Sequence, residues 1–117
     1  MPTVREITVN ELSDLIAKHE DLTIVDVRER EQYAKGHIPG ALSVPLGSIE
    51  HAANVTSVAC NHQLVRARAD TVVTCCDDER RSRVAATLLD RVGFLTVYFL
   101  AGGLTRWQAE GFPLVSG

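Results

Sequence analysis

The 117-residue sequence lacks the features that mark several specialised classes of protein. Its formal net charge is −3, whereas nucleic-acid-binding proteins are basic overall, so we expect no nucleic acid as a partner. The longest uncharged apolar stretch, 92–104, is too short to cross a bilayer and contains three glycines, so we expect no membrane partner. Only three cysteines occur, two of them adjacent, which excludes a framework of disulfide bonds.

Motifs for cofactors and export are also missing. No glycine-rich dinucleotide motif, Walker loop or HExxH motif occurs, so we expect no metal and no organic cofactor. Residues 1–6 lack the apolar core of a signal peptide, which together with the few cysteines predicts a cytoplasmic protein. The hydrophobic fraction of 45% and the charged fraction of 23% are ordinary for a globular protein, and the length predicts a single domain over residues 1–117.

Short apolar runs alternate with helical patterns along the chain. The apolar runs predict strands at 6–7, 22–27, 41–44, 71–75 and 96–100. Thr8 and Glu11 have the spacing of a capping box, and they predict a helix that continues to about Lys18. Further helices are predicted at 28–35, 82–92 and 104–110, with two helical pieces at 47–53 and 57–66.

The predicted strands are apolar on both faces, which is typical of a parallel sheet covered by helices on both sides. Active sites in such folds lie at the carboxyl ends of the strands. Asp26, Arg28, Pro45 and Cys76 each lie at or just after a predicted strand end. These residues would share one edge of the sheet if their strands were neighbours. The sequence does not define the order of the strands in the sheet.

The junction after the predicted strand 71–75 has the strongest chemical character in the chain. Cys76 follows the strand, and the polar loop after it enters the next helix through Asp77, Asp78, Glu79, Arg80, Arg81 and Ser82. Backbone N–H groups and the dipole at a helix N-terminus favour negative charge, so a thiol there is a better thiolate. A thiolate in an anion-binding loop is suited to cysteine-based group transfer.

Three blocks of the sequence resemble the rhodanese family of sulfurtransferases. The first is IVDVRE at 24–29, continued by Tyr33, GHIPGA at 36–41 and Pro45, and the second is the cysteine–arginine loop. The third is VYFLAGGL at 97–104, followed by Trp107, Gly111 and Pro113. The resemblance extends over nearly the whole chain apart from 48–69. It implies an α/β rhodanese-like fold, with a central five-stranded parallel sheet and helices on both faces.

The resemblance also implies a reaction, in which a cysteine takes sulfane sulfur from a donor as a persulfide and passes it to a thiophilic acceptor. The family spacing, counted back from Arg81 and Ser82, places this nucleophile at Cys76. The backbone N–H groups of 77–82 would then bind the persulfide, and Asp26 and Arg28 would support the loop as an ion pair. The implied partners are a small-molecule or protein persulfide donor and a thiol acceptor.

The loop departs from the family pattern Cys-Arg-x-Gly-x-Arg. Asp77 stands where the family has arginine, and Glu79 stands where it has glycine. With Asp78, we therefore expect three carboxylates around the thiol, which raise its pKa and repel an anion such as thiosulfate. Glutamate does not readily adopt the positive φ that glycine tolerates, so we also expect a reshaped loop.

Three other hypotheses remain open. A non-catalytic or regulatory module would bind a partner protein through the acidic loop. A phosphatase-like site is possible because the spacing from Cys75 is Cys-x5-Arg, as in dual-specificity cell-cycle phosphatases, whereas from Cys76 it is the Cys-x4-Arg of sulfurtransferases. A thiol redox protein would use Cys75, Cys76 or Cys60, although a disulfide between adjacent cysteines is strained. Cys60 and His62 have no second pair at ligand spacing, so we predict no metal site there.

Overall fold

The computed structural model describes residues 4–18 and 21–117, and these contain five strands and six α-helices. Residues 1–3, which belong to the segment 1–6 expected to be no signal peptide, lie outside the described residues. The strands are β1 (Arg5–Ile7), β2 (Leu22–Asp26), β3 (Leu42–Ser43), β4 (Thr71–Cys75) and β5 (Thr96–Leu100). The helices are α1 (Val9–Lys18), α2 (Arg30–Lys35), α3 (Ile49–Ala52), α4 (His62–Arg66), α5 (Arg80–Arg91) and α6 (Gly103–Ala109). None of these helices is long and apolar enough to cross a membrane.

The strands form one parallel sheet in the order β1-β5-β4-β2-β3, so the predicted fold class is confirmed. β4 lies in the centre of the sheet between β5 and β2. In the register of β2 with β4, Asp26 is paired with Cys75. The carboxyl ends of these two strands are therefore adjacent, and the residues that follow them lie at one edge of the sheet.

Side chains of the central strands alternate between two apolar cores, because neighbouring residues of a strand face opposite ways. Val72 belongs to the core that packs under α3, α4 and α5, and Val73 belongs to the core that packs under α1 and α6. Both residues are fully buried. Helices therefore cover both faces of the sheet, which is why the strands read as continuous apolar runs in the sequence.

Two helix starts show how nearby side chains define the first residue of a helix. The predicted capping box of α1 is present, since Thr8 N–H donates to Glu11 Oε1 at 2.9 Å and Glu11 N–H donates to Thr8 Oγ1 at 3.1 Å. The predicted helix 28–35 begins only at Arg30. Its first residues form a turn instead, because the Arg28 N–H donates to the Asp26 carboxylate at 3.0 Å.

The region between β3 and β4 contains less helix than predicted. The piece at 47–53 is a 3₁₀ turn (Leu46–Ser48) followed by α3, and the piece at 57–66 is helical only in α4. Residues 57–61 form turns because short polar side chains compete for backbone N–H groups, as Ser57 Oγ does for the Ala59 N–H at 3.1 Å. Asn61 then caps α4 by accepting the Leu64 N–H at 3.0 Å.

The remaining elements differ from the prediction only at their ends. β1 begins one residue early, β2 ends at Asp26, β3 spans two residues, and α5 and α6 begin before Ser82 and Leu104.

Candidate active site

The edge of the sheet brings Cys76 close to the residues that follow β2. Val27 N–H donates to the Cys75 carbonyl at 2.9 Å, and Leu46 N–H donates to the Val27 carbonyl at 3.0 Å. These bonds continue the sheet beyond the strand ends and fix the start of the loop 76–82 relative to β2. Cys76 itself is 2% exposed, and its side chain belongs to the core under α3, α4 and α5.

The first half of the loop is anchored on the N-terminus of α6. Leu104 N–H donates to the Cys76 carbonyl at 2.8 Å, and Thr105 N–H donates to the Asp77 carbonyl at 3.2 Å. A Cβ at Gly103, where φ is +61°, would overlap the carbonyl oxygens of Asp77 and Asp78. In a trans peptide the N–H points opposite to the C=O, so the N–H groups of 77–79 point away from α6. They remain available to an anion on the other side of the loop.

A pocket of about 410 Å³ opens beside the thiol. It is lined by Arg28, Cys76, Asp77, Asp78, Arg80 and Arg81. The structure thus brings together Cys76, one of the two predicted supporting residues and four of the six predicted loop residues. Glu79 and Ser82 are not among the lining residues, and Asp26 lies behind the pocket.

Asp26 and Arg28 form a buried ion pair. Arg28 Nη2 lies 2.7 Å from Asp26 Oδ2, and the side chains are 8% and 0% exposed. Burial by itself lowers the pKa of Arg28, but the hydrogen bond and the charge of Asp26 outweigh it and raise that pKa. Arg28 Nη2 also donates to the Gly36 carbonyl at 2.6 Å, so the pair ties β2 to the end of α2.

The three loop carboxylates have different partners, and the expectation that all three surround the thiol is wrong. Asp77 Oδ1 lies 3.4 Å from Arg28 Nη1, and its Oδ2 accepts from Gln32 Nε2 at 3.3 Å. Both oxygens of Asp77 are therefore directed to residues before and within α2. Gln32 is a site residue that the sequence did not indicate.

Glu79 is held on the other side of the loop. Its Oε2 accepts the Gly102 N–H at 2.6 Å, and its Oε1 lies 2.6 Å from Arg83 Nη2. The hydrogen bond with Arg83, and after it the Gly102 N–H, lower the pKa of Glu79. Its φ is −127°, an ordinary value, so this loop does not need the backbone freedom of the family's glycine.

Asp78 is the loop carboxylate that contacts the thiol. Its Oδ1 lies 3.7 Å from Cys76 Sγ and accepts the Arg80 N–H at 2.9 Å. This backbone hydrogen bond is the main cause that lowers the pKa of Asp78. Because the carboxylate satisfies a free N–H at the helix start, α5 begins at Arg80, two residues before the predicted Ser82.

Arg81 and Ser82 have separate roles in the geometry. Arg81 is exposed at the pocket, and no carboxylate of the described residues forms an ion pair with it. Ser82 is buried and donates from Oγ to the Glu79 carbonyl at 3.1 Å. Its own carbonyl accepts the hydroxyl of Thr74 at 2.7 Å, which ties α5 to β4. Arg81 is thus available to a bound anion, whereas Ser82 is part of the support.

Comparison with known proteins supports one assignment. A family model described as Rhodanese-like domain matches residues 8–110. The chain belongs to this family. The matched range includes β2 to β5 and the whole loop 76–82, and it begins directly after β1.

Named relatives of this rhodanese-like domain include proteins of sulfur chemistry. The putative sulfur carrier protein YrkF of Bacillus subtilis is 32% identical over 92% of this chain, which spans only 53% of that relative's length. A sulfurtransferase of Allochromatium vinosum is 31% identical over 97% of this chain and 96% of its own length. A solved Rhodopseudomonas palustris structure of unknown function, described as a possible tyrosine phosphatase, matches with a TM-score of 0.87 at 25% identity over 97% of this chain and 86% of its own. The relatives support sulfur transfer as the class of reaction.

The other cysteines of the rhodanese-like domain lie away from the pocket. Cys75 is fully buried on the opposite face of the sheet from Cys76, because neighbouring residues of a strand face opposite ways. Burial first, and then the charge of Asp26, raise the pKa of Cys75 well above its usual range. Cys60 is half-buried in the turns before α4. Neither thiol lines the pocket beside Cys76.

Two aromatic groups support the domain without lining the pocket. His37 Nδ1 lies 2.8 Å from the Tyr33 carbonyl, and the two rings stack with centroids 3.7 Å apart, so His37 stabilises the turn after α2. Trp107 is buried and donates from Nε1 to the Pro113 carbonyl at 2.9 Å. Gly103 carries the contact that positions the loop, and the sequence placed it only within the block 97–104. The adjacent glycines Gly102 and Gly103 were the available signal.

Proposed function

We propose that the protein is a sulfurtransferase that moves sulfane sulfur from a persulfide donor to a thiol acceptor through a persulfide on Cys76. The observation that carries this proposal is the placement of Cys76 Sγ at a pocket beside the N-terminus of α5, in a loop whose first carbonyls are bonded to α6. A reaction that depends on a free thiol suits the reducing cytoplasm, where we place the protein.

The reaction has two displacement steps. The Cys76 thiolate attacks the outer sulfur of a donor persulfide, the donor's S–S bond breaks, and the donor leaves as a thiol after taking up a proton. The outer sulfur is then bonded to Cys76 Sγ. An acceptor thiolate attacks that sulfur in turn, and Cys76 leaves with the bonding electron pair. The redox state of the protein is the same after each full cycle.

Backbone dipoles favour the charged intermediates. The N–H groups of 77–79 point away from α6, and the dipole of α5 presents its positive end to the loop. Groups that are aimed before the reaction at a developing negative charge stabilise it without reorganisation. Arg81, exposed at the pocket and free of an ion pair among the described residues, would attract an anionic donor.

The charge of the loop favours persulfide donors over thiosulfate. Asp78 contacts the thiol, and Arg80, which would otherwise attract an anion, lies 3.3 Å from the Asp78 carboxylate. A dianion such as thiosulfate is repelled more strongly than a persulfide with a single charge. A protein donor with a basic surface would in addition be attracted to the exposed Asp77 and Asp78.

A phosphatase-like reaction receives less support from the geometry. The longer Cys-x5-Arg loop needs the thiol of Cys75 in the pocket, and that thiol is buried on the opposite face of the sheet. A non-catalytic module remains the main alternative to sulfur transfer.

Mass spectrometry distinguishes these functions. The protein is incubated with glutathione persulfide, and intact mass and peptide mapping then locate any adduct. Sulfur transfer predicts that Cys76 gains one sulfur. It also predicts that this sulfur passes to free glutathione, which becomes glutathione persulfide. The absence of an adduct would support a binding module, and loss of two hydrogens would support a disulfide.

A further inference from the structure

The Asp78 carboxylate has opposite effects on the thiol form and on the persulfide form of Cys76. In the thiol form, Sγ–H donates to Asp78 Oδ1, with 3.7 Å between the two atoms. In the persulfide form, Sγ carries no hydrogen. The outer sulfur is then an anion at neutral pH, because a persulfide is a stronger acid than the corresponding thiol. The same carboxylate stabilises the empty form and repels the loaded form.

The other charged groups of the pocket do little to cancel this effect. Arg28, Asp77, Arg80 and Arg81 line the pocket with Asp78. Arg28 and Arg80 are each paired with a loop carboxylate, so Arg81 is the one arginine of this lining that is left for a bound anion. The Arg80 N–H already donates to Asp78 Oδ1 at 2.9 Å, which removes one backbone donor from the outer sulfur.

We propose that Asp78 shifts the sulfur equilibrium of Cys76 towards the sulfur-free thiol, so that the loop releases sulfur to acceptors instead of storing it. This inference rests on the proposed function and concerns the regulation of the same site. It makes Asp78 a positioning residue, which acts through its contact with Cys76 Sγ and through its repulsion of the charged persulfide.

The discharge step shows why charge controls the equilibrium. An acceptor thiol attacks the outer sulfur, the bond between that sulfur and Cys76 Sγ breaks, and Sγ keeps the electron pair and takes up a proton. The net reaction converts a protein persulfide anion and a neutral thiol into a neutral protein thiol and an acceptor persulfide anion. Negative charge thus moves from the side of Asp78 into solvent, and no oxidant or reductant is needed. The reaction that follows must consume sulfur as a persulfide.

The test compares sulfur occupancy at equilibrium. Wild-type protein and Asp78→Asn are equilibrated with a fixed ratio of glutathione to glutathione persulfide, and intact mass gives the fraction that carries one added sulfur. Asparagine keeps an oxygen for the Arg80 N–H but removes the charge. We expect the equilibrium to move towards the persulfide by at least about tenfold, which is about 1.4 kcal/mol.

Asp77→Asn is the matched control, because it removes the same charge from the same pocket but leaves the contact between Asp78 and Cys76 intact. We expect a shift of less than about threefold, since Asp77 is paired with Arg28. Equal shifts in the two variants would overturn the proposal, because they would assign the effect to the net charge of the loop. Asp78→Ser, which keeps a hydroxyl acceptor for α5, replaces Asp78→Asn if that variant does not fold.

A second measurement separates this inference from the proposed function. Alkylation of Cys76 by neutral iodoacetamide is followed over time at neutral pH, and we expect Asp78→Asn to react faster, because a neutral amide does not oppose negative charge on the sulfur as the Asp78 carboxylate does. If neither protein gains sulfur, the proposed function fails and the inference fails with it. If the wild-type protein gains sulfur but Asp78→Asn has the same occupancy and the same alkylation profile, the function stands and the inference alone is overturned.

Discussion

The loop 76–82 and the segment 54–61 both connect regular elements, but different kinds of contact hold them. In 54–61 several side-chain bonds join near neighbours, such as the Thr56 N–H to Asn54 Oδ1 at 3.0 Å. In 76–82 the key bonds cross the molecule, and the Glu79 carboxylate accepts an N–H from Gly102, 23 positions away. A change in 54–61 should therefore have local effects, whereas a change at the loop or at its distant partners should alter the site.

The largest expected effect is at Cys76. Cys76→Ser should abolish persulfide formation because it removes the only thiol that lines the described pocket. Cys75→Ser should retain most of it, since Cys75 faces the opposite side of the sheet. Intact mass after incubation with glutathione persulfide measures both. The reverse result would place the nucleophile at Cys75, and hydrolysis of an aryl phosphate that depends on Cys75 would then favour a phosphatase.

The next largest effect is expected at Gly103, the residue of α6 that lies against the carbonyls of the loop 76–82. Gly103→Ala should slow sulfur transfer by about tenfold or more and reduce the free energy of unfolding by about 1–3 kcal/mol, because its Cβ would overlap the carbonyls of Asp77 and Asp78. Gly111→Ala is the matched control: φ is +86° there, and a Cβ meets nothing within 4 Å. Equal losses of transfer rate in the two variants would show that backbone strain, and not displacement of the loop, is responsible.

A smaller effect is expected when the family pattern is restored. Asp77→Arg combined with Glu79→Gly should raise kcat/KM for thiosulfate by about tenfold, which corresponds to about 1.4 kcal/mol of transition-state free energy. The double variant should also be less stable, because it removes the bonds from Glu79 to Gly102 and Arg83. Steady-state kinetics and thermal unfolding measure the two quantities. Efficient use of thiosulfate by the wild-type protein, with no gain in the variant, would mean that the acidic loop does not select the donor.

The smallest effect is expected in the segment 54–61. Asn54→Ala removes two exposed hydrogen bonds to Thr56, so we expect the free energy of unfolding to fall by up to about 1 kcal/mol. Sulfur transfer should be unchanged, because neither residue lines the pocket beside Cys76. Chemical denaturation and the transfer assay measure these outcomes. A clear loss of transfer would show that this segment is coupled to the loop after all.

The contrast between contacts near in sequence and contacts that cross the molecule explains which features could be predicted from the sequence. The alternation of strands and helices and the capping box at Thr8 depend on residues close in sequence, and both predictions were confirmed. The contact between Asp78 and Cys76 and the bond between Glu79 and Gly102 depend on side-chain directions and on the approach of α6 to the loop. A sequence pattern shows that three carboxylates occur there but not which partner each has.

The helix predicted at 57–66 is present only at its end, in α4, for a different reason. The side chains of Asn54, Ser57 and Asn61 each accept a backbone N–H nearby and so define turns and a cap. Such residues compete with helical hydrogen bonds, and in this segment no long apolar face compensates for that competition.

The burial of Cys76 has a consequence for when the protein is reactive. At 2% exposure, Sγ offers little surface to oxidants or to bulky reagents while the cysteine is empty. In the proposed persulfide form, the outer sulfur would lie about 2 Å further along an S–S bond and would be the atom that meets incoming molecules. The residues that bury the thiol would therefore leave the outer sulfur accessible. The protein would therefore undergo fewer reactions with bulky molecules while Cys76 is empty than while it carries sulfur.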